Sequence, residues 1–337
     1  MIFIRNVPAH LAPGLDWVAA SCDAVCDDGL GVQLARFNPV GLAARRPADP
    51  VFAGPRDPRE PPAVRALLDS LTGPSGPVAV TGEIAWRARP ALYREHALFV
   101  TVSPGQAREQ LACGARVIRA AGGPSSVRDQ ITAARAEGPL TEAGAFGQLR
   151  EIFTAHATPV RLAGLAGLAG LGARLVTGRQ IAVLARVQDA AGAAALADRL
   201  RQQRTPPAEL VVAVAARAGE SAEVSCHAVT AALGDLAGQG VAVTTVPEPA
   251  AAGVPGWLPS AAKTARSPWV APWQAGREYD ESYLLDLACA RECAQADAVG
   301  YAGSRYAYVA SLDPALARRE FFSPEGSGHG LRLFSVG

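Results

Sequence analysis

Lysine is nearly missing from this chain: Lys263 stands alone among 337 residues. Positive charge falls to arginine, and the formal net charge is only +1, so no broad field steers the protein toward nucleic acid or an anionic membrane. Long apolar runs are missing too. The longest, Leu162 to Leu171, is interrupted by glycine and falls far short of the roughly 20 residues a spanning helix needs, so no membrane span is expected. The opening Met1-Ile2-Phe3-Ile4-Arg5 carries no long apolar segment and no cleavage site, and a cytoplasmic location is expected. There is no Walker loop, no dinucleotide fingerprint, no nucleophile elbow and no H-E-x-x-H pair, so none of those chemistries has a motif here.

What is present is ample material for a core. Hydrophobic residues make up 49% of the chain against 19% charged, which excludes a disordered protein and allows two domains of ordinary size. Six cysteines include two pairs at C-x3-C spacing, Cys22/Cys26 and Cys289/Cys293. Zinc hairpins favour other spacings, so reduced, buried thiols are the reading, with a four-cysteine metal site as the alternative.

Short apolar runs alternate with helical patterns along the whole chain. Ile2–Ile4, Ala24–Cys26, Val51–Ala53, Val78–Val80, Ala97–Val102 and Arg116–Arg119 read as strands. Leu15–Cys22, Ala63–Leu71, Arg89–Glu95, Gln106–Ala112, Ser125–Ala136 and Ala145–His156 read as helices, with Gly114 as a C-terminal stop after Cys113. Residues 46–62 are rich in proline and form a loop around the short third strand. Gly164, Gly167 and Gly170 follow at three-residue spacing; no strand precedes them, so they indicate a closely packed small-residue helix or a linker rather than a phosphate loop. A second series then runs Ile181–Val187, Ala191–Gln203, Leu210–Ala215, Glu223–Leu236, Val241–Val246, Ser260–Arg266, Trp269–Trp273 and Ser282–Ala294, with an aromatic β segment over 298–308. Such alternation predicts an α/β protein with two doubly wound domains, residues 1–170 and 178–337, each binding any ligand at the C-terminal ends of its strands. The candidate edge of the first runs from Ser103 to Glu109 with Gly122 and Gly123; that of the second takes in the end of Ile181–Val187, Ala215 to Arg217, and Trp273 to Glu278.

Two passages resemble known glycosyltransferases. Phe99-Val100-Thr101-Val102-Ser103, then Glu109-Gln110-Leu111-Ala112-Cys113-Gly114, then Arg116-Val117-Ile118, with His156-Ala157-Thr158 and Arg161 farther on, resemble the C-terminal half of spore-maturation-type transferases of the two-Rossmann (GT-B) class. The resemblance implies that the helix begins at the donor nucleotide and that Glu109 contacts the ribose hydroxyls; a carboxylate at a helix start is also stabilising by itself. Only about 80 residues precede this region, enough for a truncated first sheet.

Residues 178–310 resemble family-two glycosyltransferases of the single-domain (GT-A) class. Gly178-Arg179-Gln180-Ile181-Ala182-Val183-Leu184 is similar to their first strand, and Leu200-Arg201-Gln202-Gln203-Arg204-Thr205-Pro206-Pro207-Ala208-Glu209-Leu210-Val211-Val212 to the passage that follows. Ala261 to Val270, Tyr279 to Leu287 and Ala296 to Gly300 continue the match in order. Where the family places aspartates that hold a divalent metal against the donor diphosphate, this chain has Trp273-Gln274-Ala275-Gly276-Arg277-Glu278. Glu278 is the one acid there, and Arg277 brings positive charge of its own, so the resemblance implies a degenerate motif, no metal and no other cofactor. His329, between Gly328 and Gly330, is a candidate base as well as an ordinary loop residue.

The expectation is therefore a Rossmann-like protein with a partial GT-B-like half followed by a truncated GT-A-like domain. It would take a UDP- or GDP-type nucleotide-sugar donor and transfer the sugar without a divalent metal. The alternative is a non-catalytic relative acting as a binding or scaffold subunit, alone as a homo-oligomer or with a protein partner. The aromatic set Trp257, Trp269, Trp273 and Tyr279 would mark an interface if exposed and core if buried. A nucleotide-dependent enzyme of another class is the weaker third reading.

Overall fold

The computed structural model describes residues 2–4, 24–26, 31–40, 42, 45–53, 62–72, 77–82, 84–120, 123–168, 178–215, 221–248, 257–274, 277–295, 299–301, 310–311 and 331–332. The chain divides into two compact units, 1–176 and 177–337. Each is an α/β, Rossmann-like layer arrangement with a parallel sheet of four strands flanked by helices.

In the first unit, β1 (Ile2–Ile4) and β2 (Ala24–Cys26) form a separate parallel pair. The main sheet holds β3 (Val51–Phe52), β4 (Ala79–Val80), β5 (Leu98–Thr101) and β6 (Arg116–Arg119) in the order β4-β3-β5-β6, all parallel. β5 is buried along its whole length, as a central parallel strand must be. Its alternation divides the core. Leu98 and Val100 pack with Leu67, Leu68 and Leu71 of α1 (Pro62–Thr72) and with Val127 and Ile131 of α4 (Pro124–Glu137). Phe99 turns the other way, edge-on to Tyr93 of α2 (Arg89–Glu95). β4 differs from the expected doubly buried strand: Val78 is buried, but Ala79 and Val80 are exposed, because β4 is the sheet's edge.

Between β5 and β6 runs α3 (Pro104–Ala112), closed by Gly114 in the left-handed region, φ +75°, as expected. The anticipated helix to His156 is two elements: α5 (Glu142–Glu151), opened by the Thr141 hydroxyl accepting from Gly144 N, and a π-helical turn, Ile152–His156. That turn brings the His156 carbonyl onto Val32 N (2.8 Å), and Val32 and Ala157 form a parallel bridge. α6 (Thr158–Leu168) follows. It carries Gly164 and Gly167 but has no buried residue, so it is a helix without the expected close packing, and neither glycine has a neighbour that an added Cβ would touch. Residues 169–177, with Gly170, and the helix anticipated at Leu15–Cys22 lie outside the described residues.

In the second unit the sheet order is β12-β10-β7-β8-β9, built from β7 (Ile181–Val187), β8 (Glu209–Val214), β9 (Ala242–Pro247) and β10 (Trp269–Trp273) in parallel, with β12 (Ala310–Ser311) antiparallel on one edge. β8 is buried at every residue. On one face Ala182, Leu184, Val211 and Val270 pack with Ala261 of α10 (Trp257–Thr264). The other helices are α7 (Ala190–Arg201), α8 (Ala222–Ala232), α9 (Gly234–Gly238) and α11 (Tyr283–Ala294). β11 (Gly300–Tyr301) pairs with β13 (Leu331–Arg332); the rest of the anticipated 298–308 segment, apart from Val299, lies outside the described residues. Trp269 and Trp273 are 7% and 2% exposed, so these two tryptophans are core. No helix among the described residues is long and apolar enough to cross a membrane.

Candidate functional site

The second sheet reverses direction between β7 and β10: the chain marches outward from β7 to β8 to β9, then returns to add β10 on β7's other side. Such a reversal leaves a crevice at the carboxyl ends of the two strands, where doubly wound sheets bind their ligands. Here it holds a cavity of about 180 Å³, lined by Ala185, Arg186 and Val187 of β7, Gly192, Ala195, Leu196 and Arg199 of α7, and Trp273 of β10. Trp273 sits opposite Ala185 in the sheet register, which fixes the indole as one wall. The opposite wall is the helical stripe 192, 195, 196 and 199. Asp189 caps α7, its carboxylate accepting from Gly192 N at 2.8 Å.

Beyond Trp273 the chain turns back on itself. Gln274 N donates to the Tyr279 hydroxyl (3.0 Å), and Arg277 N donates to the Gln274 carbonyl (3.3 Å). Tyr279 lies against Trp273 with ring centroids 4.1 Å apart, and Tyr283 against both. Burial, reinforced by the neighbouring Tyr279, pushes the Tyr283 phenol well above its ordinary value. The Arg277 carbonyl accepts from Arg199 Nη1 at 2.6 Å. Arg277 and Glu278 are thus brought together on an exposed rim, and neither side chain lines the cavity. Arg217 and His329 lie outside the described residues. Arg199 was not among the residues singled out from the sequence. Its signal was present: it is the one cation at the end of an otherwise apolar helical stripe, seven residues after Gly192.

Two residues pin the β10 segment from below. Glu209, 5% exposed, accepts from Arg266 N (2.8 Å), Ser267 N (2.9 Å) and Ser267 Oγ (3.1 Å). Gln203 donates to the Asp280 carbonyl (2.7 Å) and accepts from Leu284 N (3.1 Å). The polar letters of the Gln203-to-Glu209 passage therefore hold the two ends of the strand and turn that carry Trp273 to Glu278.

In the first unit the order reverses between β3 and β5. Ser103 caps α3 at this edge, its hydroxyl accepting from Gln106 N at 3.4 Å and its own N–H donating to Thr101 Oγ1 at 3.2 Å, with Pro104 opening the helix. Gly123 is the N-cap of α4 after the adjacent strand β6, so Ser103 and Gly123 stand at one edge; Gly122 lies outside the described residues. Glu109 is elsewhere. It is not at the helix start: Ser103 and Pro104 take that place, and Glu109 lies six residues on, about 9 Å along the axis. Nor is it a surface acid. It is largely buried, with Oε2 making no hydrogen bond among the described residues. Burial lifts its carboxyl from 4.5 to about 7, against the opposing pull of Arg89 and then Arg36. Arg36 in turn stacks 3.4 Å over the half-exposed ring of Trp86. The His156–Arg161 stretch packs on Gly31: a Cβ there would meet His156 O and Arg161 Cγ.

Among the described residues, no three His, Cys, Asp or Glu side chains gather closely enough to hold a metal ion. Cys289 and Cys293, one helical turn apart on α11, are both buried. A comparison with known protein-family models and with curated protein sequences gives no match.

Proposed function

We propose that this chain is a glycosyltransferase-like protein that holds a nucleotide-sugar donor in the crevice of its second unit and does so without a divalent metal. The observation that supports this most is the cavity at the β7–β10 reversal, whose lining among the described residues contains two arginines and no acid. A donor diphosphate is strongly anionic and needs positive charge around it; a pocket of this lining offers that charge from the protein itself. At about 180 Å³ the cavity is smaller than the roughly 300–1,000 Å³ of pockets for whole drug-sized ligands, so it takes one part of a donor, the rest lying over the exposed rim of Arg277 and Glu278.

A thermal-shift panel of UDP- and GDP-sugars, run in EDTA and again with Mn²⁺, tests the reading. Saturable stabilisation by a donor in EDTA is expected. No shift with any donor under either condition sinks it. A binding subunit without transfer chemistry is the second reading, and the position of Glu278, exposed and outside the cavity lining, favours it. Donor binding with no turnover by the full chain, tested over a panel of sugar, lipid and peptide acceptors, would select that reading.

A further inference from the structure

We infer that Arg199 is the residue that takes up a diphosphate in this cavity, making the space beside Trp273 a diphosphate pocket rather than a base pocket; the inference rests on the donor-binding reading above. Among the described residues three cations border the crevice, and geometry separates them. Arg186 is committed elsewhere: its guanidinium pairs with Glu248 after β9 (2.8 Å). Arg277 is exposed on the rim, is not part of the cavity lining, and accepts from Arg199 through its carbonyl. Arg199 remains, half-buried, at the end of the α7 stripe that forms the cavity wall.

The 2.6 Å bond to the Arg277 carbonyl fixes Arg199's head in place. A guanidinium carries five N–H donors in a planar fork, and this bond uses one of them. A fork held by a neutral carbonyl keeps its full charge for an anion, whereas one held by a carboxylate would be largely neutralised. The indole of Trp273 and the side chains of Ala185, Val187 and Leu196 close the surroundings with apolar surface, which strengthens a charge-assisted bond. Ala185, Val187 and Leu196 offer no hydrogen-bonding edge that would read a base, and the indole offers a single N–H.

Isothermal titration of the full chain in EDTA, with inorganic pyrophosphate, UDP, GDP and uridine, tests this on wild type and on Arg199→Ala, Arg199→Gln and Arg201→Ala. Arg201 lies on the same helix but pairs with Asp198 at the surface. Wild type is expected to bind pyrophosphate and at least one nucleoside diphosphate. Both Arg199 variants should lose about tenfold or more for each, while Arg201→Ala stays at wild type. Arg199→Gln keeps a side chain of similar reach, and thermal melts of both variants separate lost binding from lost fold. Undiminished pyrophosphate binding in the Arg199 variants overturns the inference while leaving the donor reading intact. Pyrophosphate binding that depends on Arg199, with no nucleoside diphosphate bound, upholds the anion pocket and overturns the donor reading. Binding of neither ligand by wild type overturns both.

Discussion

Glu209 receives two hydrogen bonds from Ser267, one from its backbone N–H at 2.9 Å and one from its hydroxyl at 3.1 Å. A third comes from Arg266 N. The carboxylate is buried at the start of β8, and the residues it binds form the entry to β10, two strands away across β7. Removing it strands the buried amide and hydroxyl of Ser267 and the part-buried amide of Arg266. Glu209→Ala is expected to lower unfolding stability by about 2–4 kcal/mol, and Glu209→Gln, which keeps one accepting oxygen, by less. Urea denaturation of the three proteins measures this; a Glu209→Ala midpoint equal to wild type would contradict the pinning role.

Glu109 makes the first unit's stability depend on pH. Its carboxyl is raised in the folded state, from 4.5 to about 7, so folding favours the protonated form. The resulting contribution is fully present below about pH 4.5 and is lost as pH rises through 7. A displacement of that size corresponds to about 3 kcal/mol across the window. Wild type should therefore lose stability between pH 5 and pH 8, and Glu109→Gln, permanently neutral, should lose markedly less. Parallel denaturant titrations at pH 5, 6, 7 and 8 decide it, and identical pH slopes for the two proteins would refute the assignment.

Gly31 and Gly82 offer a matched test of backbone against packing. Both have positive φ, +85° and +73°. An added Cβ at Gly31 meets the His156 carbonyl at 2.5 Å and Arg161 Cγ at 2.8 Å; at Gly82 it meets nothing within 4 Å. Gly82→Ala should cost about 1 kcal/mol, the strain of a left-handed alanine alone. Gly31→Ala should cost clearly more, about 2–4 kcal/mol, because the His156 carbonyl is held by Val32 N and cannot retreat. Equal costs would mean that the 31–32 segment moves aside freely.

The sequence made the central strands readable because parallel strands buried on both faces are apolar runs: Ile181–Val187 and Trp269–Trp273 come out at the same residues in the structure. Edges were less legible. Ala79 and Val80 are as apolar as a core strand, and only the strand order shows them exposed. The reversal that leaves the crevice follows from the strand order, and of the 273–278 stretch Trp273 lines the cavity. Which side chain enters the cavity did not follow, since that depends on the rotation of α7 relative to β10, and the rim arginine carries the same charge as the half-buried Arg199. Glu109 was legible as a residue with chemistry in its environment, but its depth comes from α2 and the 31–40 segment, remote in sequence from its helix.

The buried thiols of α11 give the last prediction. Cys289 is 3% exposed and adjoins Cys293, also 3% exposed, one turn farther on. The hydrogen bond with Cys293, together with burial, holds the Cys289 thiol well above its ordinary value. Alkylation requires a thiolate that reagent can reach, and Cys289 provides neither condition. Cys226 on α8 is only half-buried; burial raises its thiol as well, so it too should react slowly, but at a rate set by chemistry rather than by opening of the fold. Iodoacetamide at pH 8, followed by peptide mapping, should label Cys226 well before Cys289 or Cys293, and added urea should accelerate the α11 pair far more than Cys226. Labelling of Cys289 in the native protein as fast as Cys226 would show that α11 opens locally, and would place Tyr283, which packs on Trp273 and Tyr279, on a mobile element.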